Sequence, residues 1–369
     1  ADLQGRYPWT EEEPLLLTDV SVDVLGGNVL MKQLRMPQHD PALLRLNNLS
    51  SSELVSAVNP KQFAMSGAFS GALPLWLNNE KWIVKDGWLA NSGPMTLRLD
   101  KDARPLLLIE DPETRLHPIM LSVAWHLLNL LPLQRIATTN SGELLSLTPV
   151  EHVCRLVRES SRVAAWRLGP SGLSTEDSRR ISFHIRFNRP SSLFARCWLL
   201  VEGETETWVI NELARQCGHH FDAEGIKVIE FAQSGLKPLV KFARRMGIEW
   251  HVLVDGDEAG KKYAATVRSL LNNDREAERE HLTALPALDM EHFMYRQGFS
   301  DVFHRMAQIP ENVPINLRKI ISKAIHRSSK PDLAIEVAME AGRRGVDSVP
   351  TLLKKMFSRV LWLARGRAD

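Results

Sequence analysis

Leu199-Leu200-Val201-Glu202-Gly203-Glu204-Thr205-Glu206 is a short apolar run that stops abruptly in acid, and His251-Val252-Leu253-Val254-Asp255-Gly256-Asp257 repeats the pattern further on. Apolar runs of this length fit buried strands. In an open parallel sheet, ligands bind beyond the carboxyl ends of the strands. Two neighbouring strands would therefore deliver Glu202, Asp255 and Asp257 to one rim, and Glu206 lies one helical turn past Glu202 on the same face. Carboxylates that converge repel one another unless cations hold them. Hard divalent ions with oxygen ligands, Mg²⁺ or Mn²⁺, are the natural remedy.

Each motif has a plainer reading when taken alone. Val-Glu-Gly can be strand-to-helix punctuation with acids favouring a helix N-terminus, and Asp-Gly-Asp can be a hairpin turn. The pair, each followed by a helical segment, favours the metal. It resembles the Toprim domain of topoisomerases, primases and related nucleases, which has a Glu after its first strand and an Asp-x-Asp after a later one. The resemblance runs from about Arg196 to Tyr295.

The chain has 369 residues, 44% of them apolar and 24% charged, with a net charge of +2. Roughly two or three globular domains are expected at this length. The small net charge excludes a polycation, so any nucleic-acid surface must be local. Cys154, Cys197 and Cys217 have no metal-like spacing, which suits a reducing cytosol. No secretory signal and no membrane span are expected, because no basic segment precedes an apolar core and no apolar run approaches the ~18 residues a span requires.

Residues 1–95 are the least informative. Two short strands are expected between Leu15 and Leu30, around Gly26-Gly27, and prolines break up the rest. Trp76, Trp82 and Trp88 read as core residues more readily than as a base-stacking platform. No phosphate-cradling Gly-x-x-x-x-Gly-Lys-Ser/Thr occurs in the chain.

Arg104 to Pro118 reads as an apolar strand ending in Glu110-Asp111, an acidic turn, and a helix from Pro118 to about Leu131. The stretch Glu110-Asp111-Pro112-Glu113-Thr114-Arg115-Leu116-His117-Pro118 resembles the Walker B and D-loop region of ABC-type ATPases. Its form is typical of OLD-family (overcoming lysogenization defect) nucleases and their recombination relatives. The resemblance implies that Glu110 holds Mg²⁺ through water and Asp111 orients the water that attacks ATP. Gln134 to Ser141 reads as a further strand ending in polar groups. Where the family has a γ-phosphate-sensing His, this chain has Asn140, which can hydrogen-bond but cannot take a proton. ATP remains open as a ligand, and negligible hydrolysis is expected. Strands are expected at Val153–Val157, Ala164–Leu168 and Ile181–Phe187, and a domain boundary at Pro190-Ser191-Ser192.

From 193 onward strands and helices alternate, which implies a parallel sheet covered on both faces. Asp289-Met290-Glu291 supplies a second acidic pair; the resemblance implies a second metal site, while the plain alternative is a helix N-cap. Two-metal phosphodiester chemistry requires ions about 3.5–4 Å apart, and six carboxylates, Glu202, Glu206, Asp255, Asp257, Asp289 and Glu291, make two ions feasible. His219, His220 and His292 are weaker candidate ligands. Residues from 300 read as helices at 300–307, 315–326, 332–342 and 349–365. The family places a cleavage-essential Lys at a turn like Ser328-Ser329-Lys330-Pro331, so the resemblance implies a catalytic Lys330; a solvated lysine is the alternative. Lys354, Lys355, Arg359, Arg365 and Arg367 give the tail a basic face that either tracks phosphates or is simply solvated.

The expectation is an α/β protein: an N-terminal segment of undefined type (1–95), the C-terminal part of an ABC-type ATPase lobe (96–190), a Toprim nuclease domain (193–298) and a helical C-terminal region (299–369). The resemblance implies a cytoplasmic, homodimeric, metal-dependent DNA endonuclease or nickase, with Glu202, Asp255, Asp257 and Lys330 catalytic and Glu110, Asp111 and Asn140 at the ATP site. The alternative is a catalytically silent ATP- or DNA-binding regulator that keeps the fold.

Overall fold

The computed structural model describes residues 2–4, 9–58, 63–78, 81–99, 106–159, 161–169, 172–271 and 277–366. Two compact units emerge, Ala1–Glu110 with Asn129–Ala137, and Asp111–Leu128 with Thr138–Asp369.

The first unit is built on an antiparallel sheet, a feature the sequence barely announces. Strands Asp2–Gln4, Leu15–Val24, Gly27–Met36, Ala42–Ser50, Ala68–Asn78 and Lys81–Val84 follow one another across it, and Trp88–Asn91 also pairs with Ala68–Asn78. The pair expected around Gly26-Gly27 is a hairpin of two ten-residue strands. Leu25 and Gly26 both take positive φ (54° and 67°), which matches the turn to the right-handed twist of the strands. Trp76 is half-buried, but Trp82 and Trp88 are 50% and 56% exposed, so the core reading fails for these two. Both sit on four-residue strands that are exposed throughout. Leu106–Glu110 and Gln134–Thr138 form a separate two-stranded sheet, as the sequence led one to expect of both segments.

The second unit is organised around four parallel strands: β1 (Cys197–Val201), β2 (Ile226–Glu230), β3 (Glu249–Val254) and β4 (Leu282–Ala284), in the order β2-β1-β3-β4. Val201 stands opposite Glu230 and Leu200 opposite Val252, so the strands end together at one rim. Helices α1 (Glu204–Gln216), α2 (Leu236–Arg245) and α3 (Glu258–Leu270) alternate with them, and α4 (Met290–Met294), α5 (Ser300–Ala307), α6 (Leu317–Ser328), α7 (Lys330–Arg344) and α8 (Thr351–Ala364) follow.

Every residue of β1 is buried. Cys197, Leu199 and Val201 face a core shared with α1 and the C-terminal helices, while Trp198 and Leu200 face a second core with α2, α3 and residues from Leu145 to Ala195. With both faces covered, polar alternation is lost and a continuous apolar run remains. Trp198 stacks on Phe242 at 5.7 Å between ring centroids; a fully buried side chain of this kind contributes about 1.5–3 kcal/mol.

The expected strand at 181–187 is helical: Thr175–Ile181 runs directly into a wider-wound turn, Ser182–Phe187. Ile181, Phe183, Ile185 and Phe187 suggest a period of two. Ile181 and Ile185 are nevertheless fully buried, while Phe183 and Phe187 are 62% and 50% exposed, so the four-residue spacing decides. Ser174 caps the segment by accepting from Asp177 N. The other two strands form an antiparallel hairpin, Arg155–Arg158 with Val163–Trp166. Arg155 ties it down by donating to the carbonyls of Leu193, Ala195, Met246 and Gly247.

Candidate active site

The rim of the parallel sheet gathers the acids. Glu202 follows β1 directly, and Asp255 follows β3, the strand hydrogen-bonded to β1. The Glu202 and Asp255 carboxyl groups hydrogen-bond each other. Burial, then Glu202, with Glu206 and Asp289 adding repulsion, pushes the Asp255 carboxyl up to about 10. Glu206, in the first turn of α1, is 8% exposed and accepts from Thr205 Oγ1 at 3.3 Å. A side chain at 203 would begin 2.8 Å from Glu206 Oε2 and push that carboxylate aside.

Glu291 enters from α4. Burial, reinforced by Asp289 and Glu206, holds its carboxyl above the usual range against the pull of Lys330. Its Oε2 is buried without a hydrogen-bond partner, while Oε1 lies 3.4 Å from Lys330 Nζ. Lys330 opens α7. The turn before it is strained, with Ser329 at φ 90°, and is held by Ser329 Oγ, which donates to Asp332 Oδ2 and accepts from Asp332 N. Thr205, Glu206, Met290, Glu291 and Lys330 line one cavity, with an apolar wall of Val209, Met294, Phe303 and Leu333.

Two of the six carboxylates have a local job as well. Asp257 caps α3 by accepting from Gly260 N at 2.7 Å. Asp289 caps α4 through His292 N at 2.8 Å and also meets His292 Nδ1 at 2.6 Å. The plain alternative for the second acidic pair is therefore realised at Asp289. Among the described residues, no three His, Cys, Asp or Glu side chains stand together as a ready-made metal site. The donor set still suits a hard divalent ion: clustered oxygen ligands, one buried and unpartnered, and mutual repulsion that a cation would relieve.

Other candidates lie elsewhere. His219 and His220 precede the turn Phe221–Glu224, which leads into the start of β2 at the edge opposite the acids. Arg365 pairs with Glu224 at that same edge, Lys354 lies beside Cys217 at the far end of α1, and Arg359 sits over the Trp362 ring. Arg367 lies outside the described residues.

Glu110 ends its strand exposed, in the first unit. In the second unit Asp111, at φ 41°, donates from its N to Thr138 O and accepts from Thr138 Oγ1. Asn140 N donates to Glu113 Oε1 at 2.7 Å, and Thr139 Oγ1 to Glu113 Oε2 at 2.9 Å. Glu113 is thus the carboxylate that orders the loop, and its place as the second Glu of the acidic turn was the signal for it. A second residue group missed by sequence reasoning is a buried chain. Arg189 and His184 Nε2 both bond Glu230 at the end of β2, and His184 Nδ1 meets Ser234 Oγ at 2.7 Å.

Residues 193–257 match the family model of the overcoming lysogenization defect protein-like Toprim domain. Residues 85–192 match a protein family of unknown function, DUF2813, and residues 1–116 match the intermembrane phospholipid transport protein YdbH. Among solved structures, the C-terminal region of the Burkholderia pseudomallei OLD protein is similar at 18% identity and TM-score 0.40, covering 46% of this chain and 99% of that one. The C-terminal region of the Xanthomonas campestris pv. campestris OLD protein is similar at 14% identity and TM-score 0.38, covering 47% and 96%. The Toprim match falls on the strands that carry Glu202 and Asp255, so the second unit contains a segment similar to the OLD-like Toprim domain.

Proposed function

We propose that this chain is a divalent-metal-dependent DNA endonuclease or nickase. The observation that carries the reading is the rim itself: Glu202, Glu206, Asp255 and Glu291 converge from three different chain segments onto one place, with Lys330 against it. Buried like charges cost stability, so their convergence calls for a purpose beyond folding. When bound, Mg²⁺ or Mn²⁺ would supply an activated water and stabilise the leaving oxygen. Glu202, Glu206, Asp255 and Glu291 would hold the ions. Asp257 and Asp289 would contribute through the oxygens their caps leave free, the set being large enough for two ions. Lys330, with its side chain 52% exposed, would neutralise charge that develops on the phosphate.

Residues 193–298 are then the nuclease domain and 299–369 its helical support. Residues 96–190 would be the C-terminal part of an ABC-type ATPase domain, with Glu110, Asp111 and Asn140 at an incomplete ATP site and dimerisation through this half, in the cytoplasm. No helix among the described residues is long and apolar enough to cross a membrane. The capping roles of Asp257 and Asp289 favour one second reading, a catalytically silent ATP- or DNA-binding regulator. Incubation with supercoiled plasmid separates the two. Nicked or linear product with Mg²⁺ or Mn²⁺, lost with EDTA, supports the nuclease; no product with any divalent ion at high protein concentration supports the regulator.

A further inference from the structure

We infer that the exposed face of α6 is the surface along which duplex DNA lies as it approaches the acidic rim; the inference rests on the nuclease reading for the identity of the polyanion. Ile320, Ile321 and Ala324 bury one side of α6, leaving Arg318, Lys319, Lys323, His326 and Arg327 exposed on the other. Arg327 bonds the Gln308 side chain, whereas Arg318, Lys319, Lys323 and His326 have no ion pair among the described residues. Cations on the flanking helices are handled differently: Arg305 pairs with Glu336, Arg343 with Glu340, and Arg344 with both Asp301 and Glu340.

Folding alone gives no reason for this arrangement. Lys319 and Lys323 are one turn apart on the same face, where like charges repel. Arg318 and Lys319 occupy the first turn of α6, which has no acidic residue, at the end where the helix dipole disfavours cations. A phosphate backbone relieves both costs. Twelve residues of helix span about 18 Å, a length of duplex that carries about ten phosphate charges. Position decides the rest. α6 ends at Ser328, and Lys330, two residues on, meets Glu291 of the rim. Of the C-terminal basic residues, Lys354 lies beside Cys217 at the far end of α1, and Arg365, just past α8, pairs with Glu224.

The test is fluorescence anisotropy of a labelled DNA duplex with the full chain in EDTA, over a salt series. The parent is compared with the triple variant Arg318→Gln/Lys319→Gln/Lys323→Gln and with the control Lys354→Gln/Lys355→Gln. Losing three phosphate contacts lowers the salt slope by about 2.7, so between about 50 and 200 mM salt the triple variant's affinity falls about 40-fold less than the parent's. The control keeps the parental slope. A triple variant with the parental slope, a control that loses as much, or a parent that binds no duplex at low salt overturns the inference. Plasmid cleavage by the parent is read in parallel with Mn²⁺. Cleavage with an unchanged slope in the triple variant sinks the surface alone, whereas a lowered slope without any cleavage sinks the nuclease reading and leaves the surface standing.

Discussion

Glu202 and Asp255 share a hydrogen bond between carboxyl groups at the ends of adjacent parallel strands. Two acids in this relation hold a proton between them in the absence of metal and must lose it when a cation binds. Glu202→Gln keeps the shape and a hydrogen bond but removes an anionic ligand. It is expected to fold with the parental circular dichroism spectrum and to lose plasmid cleavage by a factor of about 100 or more. Parental cleavage by this variant would remove Glu202 from the site.

Lys330 is the rim's cation, and its ammonium is held above the usual range: burial opposes this, but Glu291 and then Asp289 and Glu206 prevail. Lys330→Ala is expected to bind Mn²⁺ in calorimetry and still lose about 100-fold or more in rate, the scale on which a single charge-stabilising group acts. A variant that cuts at the parental rate would make Lys330 a solvated lysine.

Two buried groups, His251 and Glu230, each make acid unfavourable to the fold, in overlapping windows. His251, fully buried within β3, is pushed down by burial from 6.5 to about 4. The unfolded chain therefore takes up this proton first, and stability falls as pH drops from 6.5 towards 4. At Glu230, burial raises the carboxyl but hydrogen bonds from His184 and Arg189 outweigh it, moving it from 4.5 to about 2. This contribution is present above 4.5 and is lost as pH falls through the folded value. Each group gives a slope of at most about 1.4 kcal/mol per pH unit. Asp255, raised from 3.8 to about 10, gives an opposing slope over the same range, so the His251 contribution is read as a difference: in urea titrations the stability of the parent relative to His251→Gln is expected to fall as pH drops from 6.5 towards 4. A difference between parent and His251→Gln that stays constant from pH 6.5 to 4 would contradict the assignment.

The chain is expected to hydrolyse ATP negligibly, because no Gly-Lys-Ser/Thr loop is present to hold the phosphates. Phosphate release above background that disappears in Asp111→Ala would overturn this.

What could be read from the sequence was set by burial. β1 and β3 are covered on both faces, so Cys197–Val201 and Trp250–Val254 stand out as unbroken apolar runs, and the acids that end them, taken as a pair, mark the rim. Residues 181–187 misled because Phe183 and Phe187 are apolar yet exposed, which counterfeits a strand's alternation. The N-terminal hairpin was only half legible, since Leu15–Val24 and Gly27–Met36 lie in an open sheet with few fully buried positions. Asp257 and Asp289 could not be resolved from spacing, because a helix N-cap and a metal ligand ask for the same residue after the same strand. Arg155 was invisible, as its four acceptors are backbone carbonyls far away in sequence.

The central claim is that the rim's carboxylates are there for metal and not for folding, and the melting temperature of Asp255→Ala beside the parent, with and without Mn²⁺, tests it most directly. Removing one acid from a crowded, buried cluster relieves repulsion, so without metal the variant should melt at or above the parent. Mn²⁺ should raise the parent's melting temperature and leave the variant's nearly unchanged. If Asp255→Ala melts far below the parent without metal, and Mn²⁺ shifts neither protein, the acids serve the fold and the metal site is wrong.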